Sequence, residues 1–254
     1  MQPFKLEIYN KRIFMKTHIF TTTYNEPVTL KIFIDWYRKR IPDCKITVYD
    51  NESNDNGETE ILCRLNNVEL HSFNSNGKYN ERILMNIRNS VWKNTDADFV
   101  IMCDSDELVD VRDKDLLENK AGLVWQVCKC RGVELFGDKR DAPDAFYGVD
   151  SKKYSKSVLF HKPSIKEMNF APGSHTCSPV SKNGAPVVVL DNGFILYHTK
   201  WKDFDYGLCR VKQIRQKGRS TESKKMGWGF EYDHADVLLI DFFNNMYNKR
   251  KRYL

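Results

Sequence analysis

The chain has 254 residues, 41% of them hydrophobic and 13% aromatic, enough apolar material for a packed core, which excludes a disordered chain. Its formal net charge of +6 favours phosphate-bearing or other polyanionic partners, or an anionic membrane surface. No apolar run approaches the roughly 20 residues of a membrane span, which excludes a spanning helix.

Thr17 to Thr23 reads as a strand, and Pro27 is suited to the first turn of a following helix. Leu30, Phe33, Ile34 and Tyr37 then fall at i, i+3, i+4 and i+7, an amphipathic stripe that ends before Pro42. Lys45 to Tyr49 is a second strand, Asp50 to Gly57 a polar loop, and Glu58 to Leu65 a second helix. Val68 to Phe73 is a third strand. Ile83, Leu84, Ile87 and Val91 mark one face of a longer helix, and Asp98 to Cys103 reads as a short buried strand. This β-α-β-α-β-α-β order implies a mostly parallel sheet with helices on both faces.

Beyond Glu107 the pattern changes. Leu123 to Lys129, Ser157 to His161, Val187 to Leu190 and Phe194 to His198 read as strands, heavily punctuated by Pro and Gly. Two helices close the chain, around Lys202 to Lys217 and around His234 to Tyr247. The second carries Val237, Leu238, Leu239, Ile240, Phe242 and Phe243, a density expected of packed core. There is no internal repeat and no linker, so a single domain spanning 1–254 is expected.

Asp104-Ser105-Asp106-Glu107 is the most informative stretch. Three carboxylates in four positions follow a buried strand, at the sheet edge where open α/β folds bind ligands. Clustered carboxylates repel, and a divalent cation relieves that repulsion. Hard oxygen ligands suit Mg²⁺ or Mn²⁺, which commonly bridge to a substrate diphosphate. The plain alternative is a solvated turn. At the first strand's end, Thr22, Tyr24, Asn25 and Glu26 are suited to a nucleobase and ribose, or form an ordinary strand-helix turn. Asp50 and Asn51 end the second strand, where either can reach a base edge. The Asp50–Asp55 loop is no EF-hand, because no register supplies both the required Gly and the closing Glu.

Tyr24-Asn25-Glu26, the Asp50–Asp55 loop, Arg88-Asn89 and Asp104–Glu107 occur in an order and context that resemble glycosyltransferase family 2 and its GT-A-fold relatives. The resemblance spans about residues 17–110. Leu135-Phe136-Gly137, Lys156 to Pro163, Gly173-Ser174-His175 and Tyr197-His198 resemble family 92 and related family 2 branches. It implies a GT-A, Rossmann-like, mostly parallel sheet flanked by helices. Residues 17–110 would form the nucleotide-sugar half and 111–254 a mixed β-rich acceptor half. It further implies a UDP- or GDP-sugar donor, a glycan or glycoconjugate acceptor, and Mn²⁺ or Mg²⁺ held by Asp104, Asp106 and, by analogy, His198. Arg88, Asn89, Ser105, Lys200 and Lys202 would join the donor-binding set. Inversion is expected from the resemblance alone, with Glu134, Asp138, Asp144 and His175 as open choices for the base. His18, His71, His161 and His234 are read as structural.

Seven cysteines at irregular spacing fit a reduced intracellular protein better than a disulfide framework, and Met1 to Lys16 lacks a signal-peptide h-region. A cytoplasmic setting follows as an expectation, with the basic Lys249–Arg252 tail suited to an anionic membrane. A rival reading makes the basic C-terminal half (Arg210, Lys212, Arg215, Lys217, Arg219) a nucleic-acid or anionic-surface module. Aromatic interleaving there is weak, so nucleic acid is not expected. A nucleotidyltransferase shares the metal need but would carry a Gly-rich phosphate loop after the first strand. A haloacid-dehalogenase-type phosphatase would end that strand in a nucleophilic Asp, where this chain has threonines.

Overall fold

The computed structural model describes residues 15–138 and 145–254. In chain order the elements are β1 (Thr17–Thr23), α1 (Pro27–Arg40), β2 (Lys45–Asp50), α2 (Glu58–Leu65), β3 (Glu69–Ser72), α3 (Glu81–Ser90) and β4 (Phe99–Met102). There follow β5 (Glu107–Val109), α4 (Asp113–Gly122), β6 (Val127–Phe136), β7 (Tyr147–Asp150), β8 (Leu159–His161), β9 (Ile165–Glu167) and β10 (Val180–Ser181). The chain closes with β11 (Val189–Trp201), α5 (Phe204–Lys217), α6 (Thr221–Lys225), α7 (Asp236–Tyr247) and β12 (Lys251–Arg252).

One sheet runs through both halves in the order β12-β7-β6-β8-β4-β1-β2-β3, with β11 beside β6 and β5 beside β11. The β3-β2-β1-β4 half is parallel, because each strand returns through a helix. Beyond β4 the strands turn antiparallel, β8 against β4 and β6 against β8 and β7. Strand β11 lies parallel to β6 and antiparallel to β5, so the molecule is mixed α/β, with the consecutive β-α-β order confined to the half where strand and helix alternate. Side chains of β1 serve two cores in turn. Ile19 packs with Leu30, Phe33 and Ile34 of α1 on one face, and Phe20 with Trp92, Val100 and Phe160 on the other. No helix among the described residues is long and apolar enough to cross a membrane.

Three readings of the sequence need correction. The buried face of α3 is not its isoleucine stripe: Glu81, Leu84 and Arg88 are buried, while Ile83 and Ile87 are only partly covered. A Glu81–Arg88 ion pair at 2.7 Å lets that polar face go inward. The two late strand signals at Val187–Leu190 and Phe194–His198 are one long strand, β11, with β6 running beside it from Val127, past the expected Leu123–Lys129. Helix α7 buries only Leu239 and Phe243; Val237, Leu238, Ile240 and Phe242 stay exposed.

Candidate active site

Four chain segments meet at the carboxyl ends of β1 and β4, around an open cleft that encloses about 940 Å³, mouth included. From the end of β1 and the turn after it come Thr22, Thr23, Tyr24 and Glu26; from the turn after β4, Asp104 through Glu107. The second, mixed half of the sheet and its loops supply Lys153, Tyr154, Lys156, His175, His198 and Lys200. The fourth wall is α5 and the turn beyond it, with Arg210, Lys217, Glu231 and Tyr232. A cleft at the edge where parallel strands end is where open α/β sheets take ligands.

The acids of the turn have different fates. Asp104 accepts from the Arg88 guanidinium at 2.8 Å and faces the Lys156 ammonium at 3.6 Å. Burial raises its pKa, but Arg88 and Lys156 overcome that and hold it well below the usual carboxylate range. Glu107, 1% exposed, pairs with Lys156 and accepts from the Asp104 amide at 3.2 Å. Desolvation leads in raising its pKa, opposed by Lys156. Asp106 faces His198 Nε2 at 3.2 Å. Its backbone carbonyl accepts from the Thr199 amide at 2.7 Å, which ties the turn to β11. Ser105 donates to Glu26 at 2.9 Å, and Glu26 is in turn paired with Arg210 at 2.5 Å.

His198 is the pivot. Its ring stacks on Tyr154 at 3.7 Å between centres, and Nδ1 lies 3.5 Å from Glu134. Burial lowers its pKa, but Asp106 and Glu134 outweigh this and raise it to about 9. A carboxylate behind one ring nitrogen fixes the tautomer that leaves the other free to ligate. Asp106 and His198 therefore suit a divalent ion as a two-residue start, with substrate phosphates and water completing a hard ion's shell. Asp104 is already matched by Arg88 and Lys156. No group of three or more His, Cys, Asp or Glu side chains among the described residues is arranged to hold a metal.

Of the residues singled out in the sequence, Thr22, Tyr24, Glu26, Asn51, Arg88, Asp104, Ser105, Asp106, His175, His198 and Lys200 line the cleft. Others do not. Asn25 exchanges hydrogen bonds with Asn54 at 2.6 and 2.7 Å, and Asp50 accepts from the Ser53 amide and hydroxyl, so both shape the loop after β2. Asn89 bonds both backbone groups of Phe170, at 2.7 and 3.0 Å. Glu134 sits behind His198 rather than facing the cleft. Asp138 accepts from the Tyr247 hydroxyl at 2.6 Å and, with Lys202, lines a separate cavity beside Phe146. Asp144 lies outside the described residues. His18 (with Thr47 and Thr95), His71 (with Glu69) and His161 (with Ser164) hydrogen-bond away from the cleft.

Sequence reading missed Lys156, Arg210, Lys217, Glu231 and Tyr232 as parts of this cleft. Lys156 heads the Lys156–Pro163 stretch already noted, a usable signal. Glu231 and Tyr232 had none: they sit on a 3-10 turn, Phe230–Asp233, brought over the cleft by tertiary packing. Arg215 donates to the Tyr232 and His234 carbonyls, and Arg219 to that of Trp228, which holds the turn in place.

No protein-family model matches the chain, and no curated protein matches it. Among solved structures it is similar to Staphylococcus aureus TarS 1–349 (14% identity over 80% of this chain and 65% of that one, TM-score 0.42). Another is the mannosyltransferase PcManGT from Pyrobaculum calidifontis in complex with GDP-Man and Mn²⁺ (19% identity, 45% and 34% covered, TM-score 0.33). A third is glucosyl-3-phosphoglycerate synthase from Mycobacterium tuberculosis with Mn²⁺, UDP and glucosyl-3-phosphoglycerate (18% identity, 46% and 44% covered, TM-score 0.32). The chain thus spans less than two thirds of each of these neighbours. At such scores the likeness carries no weight, and the cleft's own residues bear the functional reading.

Proposed function

We propose that the chain is a glycosyltransferase, moving a sugar from a nucleoside diphosphate donor, a UDP- or GDP-sugar, to a hydroxyl of a glycan or glycoconjugate. The observation that carries this reading is convergence. Motifs spread from Thr22 to Lys200 line one cleft at the carboxyl edge of parallel strands, with Asp106 and His198 facing each other inside it. On this reading the nucleoside lies toward Tyr24 and Asn51 and the diphosphate toward Asp106. A divalent ion at Asp106 and His198 would supply Lewis-acid relief of the charge that develops on the leaving diphosphate.

The chain's own groups do the rest. As the anomeric carbon loses its bond to the diphosphate it takes on oxocarbenium character, which neighbouring carboxylates stabilise. The acceptor hydroxyl needs a base that is ionised and reachable. Glu26 and Glu107 are buried in ion pairs, Asp104 is clamped by Arg88 and Lys156, and Asp106 belongs to His198. Glu231 stays partly exposed, with Lys153 3.5 Å away. Burial raises its pKa, but Lys153 and Lys200 bring it below the usual carboxylate value, so it is ionised at neutral pH. We assign it the acceptor proton, the role that an inverting transfer requires.

The test is a panel of UDP- and GDP-sugars with candidate acceptors, read as nucleoside diphosphate released. Asp106→Asn should lower the rate at least 100-fold, the scale of a lost electrostatic contact to the transition state, in a chain that circular dichroism shows to be still folded. Wild-type turnover in that variant would remove the proposed role of Asp106.

A further inference from the structure

Two ammonium groups in the cleft stand apart from its ion pairs. Lys200 follows His198 by two residues, and its Nζ lies 4.8 Å from the Tyr232 ring centre and 5.5 Å from that of Trp201. Lys217 ends α5; its Nζ lies 3.2 Å over the Tyr24 ring and donates to the Asn51 carbonyl at 3.1 Å. The other cleft cations are committed: Arg88 to Glu81 and Asp104, Lys156 to Glu107, Arg210 to Glu26, Lys153 to Glu231. Lys200 and Lys217 have no carboxylate within ion-pair distance among the described residues. They have ring faces instead, and Lys217 a single carbonyl.

Half-burying an ammonium without a direct ion pair is unfavourable, and a tyrosine face returns only part of the lost hydration. Lys217 accordingly has its pKa lowered to about 8, with desolvation the leading cause. A methionine would lie on the same rings at less cost. The compensating partner is therefore an anion that arrives from outside. Lys217 stands at the Tyr24–Asn51 end and Lys200 beside the Asp106–His198 pair. The 14-residue helix α5 runs between them, with Arg210 contributing to the same wall.

We propose that Lys200 and Lys217 anchor the diphosphate of a nucleotide ligand directly, Lys217 from the nucleoside end and Lys200 from the sugar end, so that the nucleotide binds without a divalent ion. This rests on the reading of the cleft as a nucleotide-sugar site and deepens it. A metal at Asp106 would then serve the chemical step rather than affinity.

The experiment is thermal shift and calorimetry of the full chain with uridine, UMP, UDP and GDP, in excess EDTA and in Mn²⁺. A ligand that binds the native state raises the melting temperature. The expected result is a shift in EDTA that grows from uridine to UDP (or appears with GDP), with affinity at least tenfold weaker in Lys200→Met and in Lys217→Met. That is the scale of one charge-assisted hydrogen bond. The uridine-to-UDP series reads the phosphate contribution in the wild-type chain alone, so the proposal stays testable if a variant fails to fold. Binding of UDP and GDP only in Mn²⁺ overturns the inference and leaves the transferase reading standing. No binding of either nucleotide in either condition overturns both. Binding in EDTA that either substitution leaves unchanged removes that lysine from the assignment.

Discussion

At the scale of single residues, the acid turn is stabilised by what faces it. Asp104 and Glu107 would repel each other, and Lys156, 2% exposed, reaches between them. Desolvation works against its charge, but Glu107 and Asp104 more than offset it and raise its pKa. Breaking such a buried pair leaves an uncompensated charge, so Lys156→Met should cost about 3–5 kcal/mol. Urea unfolding measures this, and adding Glu107→Gln to the same chain should recover part of the loss. An unchanged midpoint in Lys156→Met would show that the pair contributes nothing. The importance of Asp104–Glu107 was legible in the sequence because clustered acids after an apolar run have few explanations. Which acid is free was not, because that depends on Arg88, Lys156 and His198, which lie at least 16, 49 and 91 positions from the turn along the chain but beside it in space.

At the scale of elements, the parallel half could be read almost residue by residue. β1 and α2 have the expected bounds, and Leu30, Phe33, Ile34 and Tyr37 of α1 are all buried. Short alternating units with Pro, Gly and polar loops between them are settled locally. Helix α3 resisted that reading because its inward face is polar, and only partners elsewhere make this tolerable. Glu81 accepts from the Gly173 amide at 2.7 Å, and Asn89 pairs with Phe170, so α3 holds the Phe170–His175 segment against the cleft. Asn89→Ala strands both backbone groups of Phe170, which is itself buried. The expected loss is about 2–4 kcal/mol. Hydrogen exchange should show the Phe170 amide losing protection before those of β1, and equal protection in both proteins would rule the tie out.

At the scale of the whole molecule, the sheet's two ends behave differently toward acid and charge. His18, 5% exposed, lies in β1 between the Thr47 and Thr95 hydroxyls at 2.7 and 2.8 Å. Burial, assisted by Lys45, lowers its pKa from 6.5 to about 4. The unfolded chain therefore binds the extra proton first. Stability is full above pH 6.5 and is lost as pH falls from 6.5 toward 4, by on the order of 3 kcal/mol. Denaturant midpoints across that range should show the slope, and His18→Gln should flatten it; an unchanged slope would assign the acid sensitivity elsewhere. Most cations of the basic late segment are paired within the chain. Arg210 pairs with Glu26, Lys212 and Arg215 with Asp236, and Arg219 with Asp233, which leaves Lys217 as the exception within it. By itself the sequence determined the alternating half and the acid turn at its edge, because period, punctuation and charge density act over a few residues. Only the tertiary structure decided the rest: that α5 and the Phe230–Asp233 turn close the cleft, which acid faces which cation, and which two lysines are left without one. Those outcomes depend on burial and on contacts between distant segments, and neither is written in any local stretch of chain.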